Sequence, residues 1–438
     1  MERCIEQWQY IHRNVYREID FGKYKIQLWS EVTILSLMLD YEMRTAWKYN
    51  SVSGRFPTHP GLLNKVDEEG AFRPYMGSTV VFRLDRQSRG YFQIVRQIIA
   101  NGMRELLSEP FPASAFHMTL HDLVSPEMTG VSQVYKDETR TDYTPEYTME
   151  VERSLAATGR VIEGILRELS GERIELLADR VVNVVSKSLV LMLKPATERN
   201  YRLLLDLYHL FDGVKELPYP LTPHVTLAYF RPGEIDGDLM SKVIERVQVD
   251  ANDPMPVSLP IDGLTAQRFL DMAHYIDVPI KVCFSCDGGM NRSVIAAALL
   301  NQRAWERGIP VRAEARSAFS NTEGKPIPSA VKAVLERHGI SAVGLQEKVK
   351  YLKPDDTIVF SQFVAMTGGA LMRIGELGEE ANEANTLFRD LPDPQYGACY
   401  DSVFEIISQR AEQFLDDMEK EMAWSKAMCE DYNRRRGK

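Results

Sequence analysis

Apolar residues return along this chain in three rhythms, and each predicts its own kind of element. Near the start, Leu28, Val32, Leu35, Leu39, Met43 and Trp47 recur at spacings of three and four, which lays one apolar stripe along a helix. The turn-rich residues 51–60 end it. From about residue 70, short β-branched runs alternate with helical ones. Residues 78–84 read as strand, 92–107 as helix and 116–120 as strand; further on, 189–194 read as strand, 200–211 as helix and 223–230 as strand. Residues 256–261 alternate as an edge strand does. The third rhythm starts with a continuous apolar run, 280–284, followed by a glycine turn and a helix to about residue 306. A strand at 310–315, a helix at 329–338 ended by Gly339, a third strand at 357–360 and an amphipathic helix at 402–415 complete a doubly wound α/β order.

One tetrapeptide pattern, His, apolar, Thr, Leu, occurs twice: at His117–Leu120 and at His224–Leu227. In a strand, residues two apart share a face, so each His stands beside its Thr while Met118 or Val225 enters the core. Two such strands facing one cleft bring together two imidazoles and two hydroxyls. One imidazole can activate water and the other can protonate a leaving oxygen, with hydroxyls on the non-bridging phosphate oxygens. A single His-x-Thr is weak, because a lone strand histidine is usually a packing residue. Its repetition in matching contexts favours a site.

On those motifs, residues of roughly 70–277 resemble the two-histidine (2H) phosphoesterases. The resemblance implies a bilobal fold of two pseudo-symmetric α/β halves and action on 2',3'-cyclic phosphates or 2'-5' linkages in RNA ends or small nucleotides. It gives His117 the acid role and His224 the base role, a division the residues themselves leave open. Thr119 and Thr226 complete the set. Tyr229 and Arg231, just past the second motif, are candidates to stack on a base or meet a phosphate, with plain loop exposure as the other reading. His12, His59, His121, His209, His274 and His338 read as ordinary surface. Residues 269–275 resemble the segment that closes such domains, which puts the boundary near Asp277.

The stretch Cys286-Asp287-Gly288-Gly289-Met290-Asn291-Arg292-Ser293 joins the third rhythm's first strand to its helix. Free N–H groups and the positive end of the dipole attract an anion there, and the glycines let the backbone curl close to it. A thiol held there, with an arginine six residues on, is favoured as thiolate and can attack phosphorus. The bland reading is a buried cysteine beside a glycine turn. This half resembles the low molecular weight protein tyrosine phosphatases, through the loop and the distant Asp393-Pro394-Gln395-Tyr396-Gly397. By that resemblance Cys286 attacks, Arg292 grips the phosphoryl oxygens, Ser293 holds the thiolate, and Asp393 protonates the leaving oxygen and then activates water. The other loop residues, Asp287 to Asn291, form the phosphate cradle, and Tyr396 borders the substrate. Three departures stand out. The loop asparagine is Gly289, the second loop cysteine is Asn291, and Asp287 sets a carboxylate beside the nucleophile. That charge disfavours an acidic phosphopeptide and suits sugar hydroxyls, unless it points to solvent.

Composition narrows the partners. The chain has 438 residues and a net charge of −10, enough length for two cores and the wrong sign for coating duplex DNA or a membrane. Five scattered cysteines suit a reducing compartment and show no zinc spacing. The charged opening residues and short apolar runs predict a soluble, cytoplasmic protein with no membrane span. The expected organisation is a helical extension (1–62), a 2H-like domain (63–277), a phosphatase-like domain (278–415) and a charged tail (416–438). The expected function is a metal- and cofactor-independent hydrolase. One site opens a nucleotide or RNA cyclic phosphate and the other removes the resulting monoester. Its rivals are a phosphotyrosine or phosphoarginine phosphatase acting on phosphoproteins beside an independent 2H domain, and a nucleotide sensor without turnover.

Overall fold

A computed structural model describes residues 17–21, 24–28, 54–129, 143, 145–248, 253–341, 345–379, 388–389, 391–394 and 399–422. The chain divides into two compact units between Tyr275 and Ile276. Among the described residues, no helix is long and apolar enough to cross a membrane.

The first unit holds β1 (Arg17–Phe21) and β2 (Tyr24–Leu28), which pair antiparallel. Leu28 therefore ends a strand instead of opening a helix, and residues 32–47 of the expected stripe lie outside the described residues. A short β3 (Arg55–Pro57) pairs with β9 (Glu234–Asp236). The main sheet is built from β4 (Gly77–Arg83), β5 (His117–Val124), β6 (Arg173–Val184), β7 (Ser188–Pro195), β8 (His224–Tyr229), β10 (Pro256–Pro260), β11 (Leu264–Phe269) and β12 (Tyr275–Val278). Its order is β10-β6-β7-β8-β5-β4-β11-β12. Every neighbouring pair from β10 to β11 is antiparallel.

That order is symmetric about its midpoint, the β8-β5 pair. On one side, β4 leads through helix α1 (Arg86–Met103) to β5; on the other, β7 leads through a helix at Glu198–Leu210 to β8. Both helices start on a side-chain cap, Asp85 accepting from Ser88 N–H and Thr197 accepting from Asn200 N–H. The registers match as well. Phe82 sits opposite Met118 as Leu191 sits opposite Val225, and a register shift falls just before Val81 in one half and just before Val190 in the other. In both, the extra residue lies on the histidine strand itself, between Thr119 and His121 in β5 and between Thr226 and Ala228 in β8.

Between the halves runs a helix at Pro145–Leu169, which packs on β4, β5 and β11. Neither it nor β6 is among the elements expected from the sequence, although Tyr147, Val151, Leu155, Ile162 and Ile165 recur at helical spacing and are buried. His121, expected at the surface, is 1% exposed. The register shift between Val80 and Val81 breaks the alternation of β5 and turns His121 to the core side, away from the face of His117 and Thr119; its Nδ1 is 2.8 Å from the Asp122 carbonyl, and its ring lies 4.9 Å from that of Tyr208.

The second unit is built on a parallel sheet of three strands, β13 (Ile280–Cys286), β14 (Val311–Ser317) and β15 (Gln362–Ala365), in the order β14-β13-β15. The expected strand at residues 357–360 is corrected. Asp356–Val359 form one helical turn, and the strand starts two residues beyond Phe360. The reason is local capping: Asp356 Oδ2 accepts from Lys353 N–H and Thr357 Oγ1 donates to the Pro354 carbonyl. Asp356 also pairs with Arg316 at 2.9 Å. Helices at Arg292–Arg307, Ser329–Arg337 and Gly368–Glu376 flank the sheet, and a last helix, Tyr400–Met422, continues past Leu415 into the stretch read as a tail. Residues 423–438 lie outside the described residues.

His121 makes the first unit sensitive to acid. Burial lowers its proton affinity below the ordinary histidine value despite hydrogen bonds to Asp212 and the Asp122 carbonyl. The unfolded chain then binds more protons, so this contribution is intact above about pH 6.5 and is lost as the pH falls below it. His274 acts in the opposite sense, its affinity raised chiefly by its hydrogen bond to Asp271, but its side chain is 45% exposed and weighs less. Thermal unfolding followed from about pH 7.5 to about pH 5.5 is expected to show falling stability. His121→Gln is expected to flatten that slope, at a cost of about 1–3 kcal/mol near neutrality.

Candidate active sites

In the first unit, the only paired positions of β5 and β8 are Met118 and Val225, both fully buried. Antiparallel pairing about that point sets His117 across from Thr226 and Thr119 across from His224. All four side chains line one cleft of about 380 Å³. The sequence motifs therefore meet. His224 Nδ1 is 2.6 Å from the Thr222 carbonyl, which can only accept, so Nδ1 carries a proton and a neutral ring presents Nε2 as its basic nitrogen. The His117 ring lies edge-on to Tyr275, 4.6 Å between centroids.

Tyr229 also lines this cleft, but its ring is packed edge-on against Phe72 and Phe111 and its hydroxyl reaches the Met272 sulfur at 3.2 Å. Its phenol is held protonated by burial. It is a wall of the cleft rather than an open stacking platform. Arg231 is exposed, its Nε donating to the Glu68 carbonyl at 2.7 Å, and it does not line the cleft. Residues the motifs did not announce complete the lining. Tyr75 stacks on Phe269 and carries Lys65 over its ring at 5.0 Å, and burial pushes its hydroxyl up to about 12. Asp122 accepts from the Tyr219 hydroxyl at 2.9 Å. Lys187 reaches in beside Glu127, 3.4 Å away, from a turn in which Val185 and Ser186 adopt left-handed φ of 43° and 55°. Strain at a β-branched residue is the one local signal there, and it is invisible without the fold.

In the second unit, Cys286 ends the central strand β13, at the carboxyl edge where an α/β sheet changes direction and ligands bind. Period two separates the two cysteines of that strand. Val282, Phe284 and Cys286 pack in one core and Cys283 in another. Burial drives the Cys283 thiol strongly upward, so it stays neutral and inert. Cys286 Sγ lies 3.2 Å from Ser293 Oγ, which can donate to a thiolate. Gly289 sits at φ 62°, and a Cβ there would lie 2.7 Å from Ser317 N and 2.8 Å from its Cα. The loop passes too close to the end of β14 for any side chain, which explains glycine at this departure from the family pattern.

Asp287 does not face open solvent. Its Oδ1 accepts from Thr367 Oγ1 at 2.7 Å, and Thr367 in turn caps the helix Gly368–Glu376 by accepting from Ala370 N–H. Arg292 is 7% exposed, donates Nη1 to the Leu391 carbonyl at 2.8 Å and pairs Nη2 with Asp393 Oδ2 at 2.9 Å. Its Nε is buried with no hydrogen-bond partner among the described residues. Phe388, stacked edge-on against Phe284 at 5.1 Å, anchors the approach to Leu391 and Asp393. Cys286 is thus in contact with Ser293, and Arg292 with the distant Asp393. Gly288 and Met290 belong to the same loop, and Tyr396 lies outside the described residues.

Comparison with known proteins fits this second unit. Residues 281–424 match the model for low molecular weight phosphotyrosine protein phosphatase. The C-terminal unit carries a low molecular weight phosphatase domain. The chain is similar to the low molecular weight protein-tyrosine-phosphatase PtpA of Staphylococcus epidermidis, 27% identical over 151 residues that make up 32% of this chain and 96% of that protein. PtpA of Staphylococcus aureus is 25% identical over the same shares. The crystal structure of YfkJ from Bacillus subtilis overlays with a TM-score of 0.30 at 23% identity, over 32% of this chain and 96% of that one. The chain is accordingly a hydrolase with a phosphatase domain.

Gly289→Ala tests the close approach of loop and strand. The added methyl has to push Ser317 away at a left-handed backbone position, so the variant is expected to lose about 1–3 kcal/mol of stability. It is expected to lose phosphatase activity by more than that stability loss accounts for. Denaturant titration together with turnover of an aryl phosphate reads both effects.

Proposed function

We propose that the protein is a bifunctional phosphate-ester hydrolase, with a metal-independent cyclic phosphodiesterase of the 2H type in the first unit and a cysteine-dependent phosphomonoesterase in the second. The observation that carries the first half is the meeting of His117, Thr119, His224 and Thr226 in one cleft across a local two-fold. His224, with its Nδ1 proton committed to the Thr222 carbonyl, suits the base: Nε2 takes a proton from water as the water oxygen bonds to phosphorus. His117 then suits the acid that protonates the departing ring oxygen. The threonine hydroxyls hold the non-bridging oxygens, and the phenols of Tyr75, Tyr229 and Tyr275 stay protonated as walls or donors. The product is a phosphomonoester.

A phosphomonoester is what the second site consumes. Cys286 attacks phosphorus, Arg292 holds the equatorial oxygens and Asp393 serves the leaving oxygen. Asp287, oriented by Thr367, supports a substrate that brings hydroxyl donors to the mouth, as a ribose does. The two sites therefore suit successive steps on a nucleotide or RNA end. The domain match equally supports a second reading, in which the phosphatase acts on phosphoproteins at tyrosine or arginine and the first site works independently.

The decisive experiment supplies a 2',3'-cyclic nucleotide and follows ring opening and phosphate release separately. Cys286→Ser is expected to accumulate the ring-opened monoester with no phosphate released. His117→Ala and His224→Ala are each expected to slow ring opening by about 10²–10⁴-fold while leaving aryl phosphate turnover unchanged. Absence of ring opening by the wild type overturns the first-unit reading. A strong preference of the second site for phosphotyrosine or phosphoarginine peptide over nucleoside monophosphates overturns the sequential one.

A further inference from the structure

We propose that Asn291 is a positioning residue for the phosphatase acid, and that its amide selects which oxygen of Asp393 delivers the proton. The inference rests on the phosphatase reading above and adds a role that reading does not contain. Asn291 occupies the N-cap of the helix Arg292–Arg307, where an asparagine side chain ordinarily accepts from an N–H of the first turn, yet it makes no capping bond. A forgone cap of this kind costs about 1 kcal/mol. The side chain is committed elsewhere. Asn291 is 5% exposed, its Nδ2 donates to Asp393 Oδ1 at 3.3 Å, and its Oδ1 accepts from the Tyr400 hydroxyl at 3.1 Å.

The orientation of that amide follows from its neighbours. A carboxylate only accepts, so the NH₂ end must face Asp393, and the carbonyl end is left for the Tyr400 proton. Tyr400 remains a donor, because burial and then the charge of Asp393 raise its hydroxyl above the ordinary value. An N–H aimed at Oδ1 reserves that atom as an acceptor. That favours Oδ2 for the proton of a neutral Asp393, once the contact this oxygen accepts from Arg292 Nη2, 2.9 Å in this structure, is given up. When a phosphoryl group draws the guanidinium to its own oxygens, Oδ2 is released toward the leaving group.

The chemistry balances on that one atom. The Cys286 sulfur forms a bond to phosphorus as the ester P–O bond breaks. The electron pair stays on the leaving oxygen, which takes the proton from Oδ2. A water oxygen next bonds to phosphorus, its proton passes to Oδ2, and the S–P electron pair returns to sulfur as thiolate. Arg292 and Tyr400 are the charged and titratable groups whose contacts with this network are seen, Arg292 from the loop side and Tyr400 from the last helix.

The test compares wild type, Asn291→Ala, Asn291→Cys and Tyr400→Phe on p-nitrophenyl phosphate, whose leaving group needs little protonation, and on phenyl phosphate, whose leaving group needs more. Asn291→Ala is expected to lower kcat on phenyl phosphate by about tenfold or more and on p-nitrophenyl phosphate by no more than about threefold. The basic limb of its pH profile is expected to move upward, because a donated hydrogen bond favours the carboxylate over the acid. Asn291→Cys and Tyr400→Phe are expected to show the same pattern at smaller size. Competitive inhibition by inorganic phosphate, unchanged within about twofold, shows that loop and Arg292 are intact. Equal losses on both esters with an unmoved pH limb overturn the proposal and reduce Asn291 to a structural role. A wild type inactive on both esters instead removes the phosphatase reading itself, and this inference with it.

Discussion

A β-strand turns successive side chains to opposite faces, and both sites of this protein depend on that alternation. In the first unit it sends Met118 and Val225 into the core and leaves His117, Thr119, His224 and Thr226 on the cleft side. The single paired position then does the rest. Because the strands run antiparallel about Met118 and Val225, each histidine faces the other strand's threonine, and a two-fold arrangement appears with no symmetric sequence beyond the tetrapeptides. A slip of one residue in either strand buries an imidazole and exposes a core residue, so the apolar pattern protects the chemistry. In the second unit the same rule gives one cysteine of β13 to the site and the other to an inert core.

Around these strand positions, the polar groups constrain one another more than they face solvent. Asp287 is tied through Thr367 to the start of a helix, and Arg292 is held by the Leu391 carbonyl and Asp393. Such bonds fix rotamers before substrate arrives, so less ordering remains to be done on binding. The Arg292–Asp393 pair is 9% and 21% exposed, a setting in which an ion pair gains little net stability and its value lies in orientation. The uncommitted Arg292 Nε is consistent with a guanidinium held ready to be shared with an oxyanion.

The sequence made the motif strands legible because short β-branched runs and repeated tetrapeptides are local signals. The strands at 77–83, 188–195 and 256–260 and the helix at 198–210 stand where period and turn residues predict them, while the helix expected at 92–107 begins earlier, at Arg86, on the Asp85 cap. Thr357 to Phe360 misled for the same reason: four apolar or β-branched residues suit a strand, and only the hydrogen bonds of Asp356 and Thr357 turn them into a helical turn. His121 was hidden by another limit. Its position shares the parity of His117 and Thr119, and its burial comes from a register shift and from Tyr208 and Phe211, some ninety residues away in the chain, so no window along the sequence contains the cause. Lys65, Lys187, Tyr75 and Asp122 reach the cleft by the same kind of long-range assembly. The paired motifs are legible because they are local, and the walls of the cleft are not.

Asn291 shows how a departure from a family pattern takes its meaning from geometry. Read along the chain, it is a missing second loop cysteine. In the fold it is a polar side chain that forgoes a helix cap to join Asp393 to Tyr400. A thiol at that position is a weak donor and a weak acceptor, whereas an amide offers a strong one of each on opposite ends. The amide therefore makes a bridge of two hydrogen bonds that a thiol would make only weakly. Gly289 follows the same logic. The backbone there already demands left-handed φ against Ser317, and glycine is the residue that accepts both the angle and the contact.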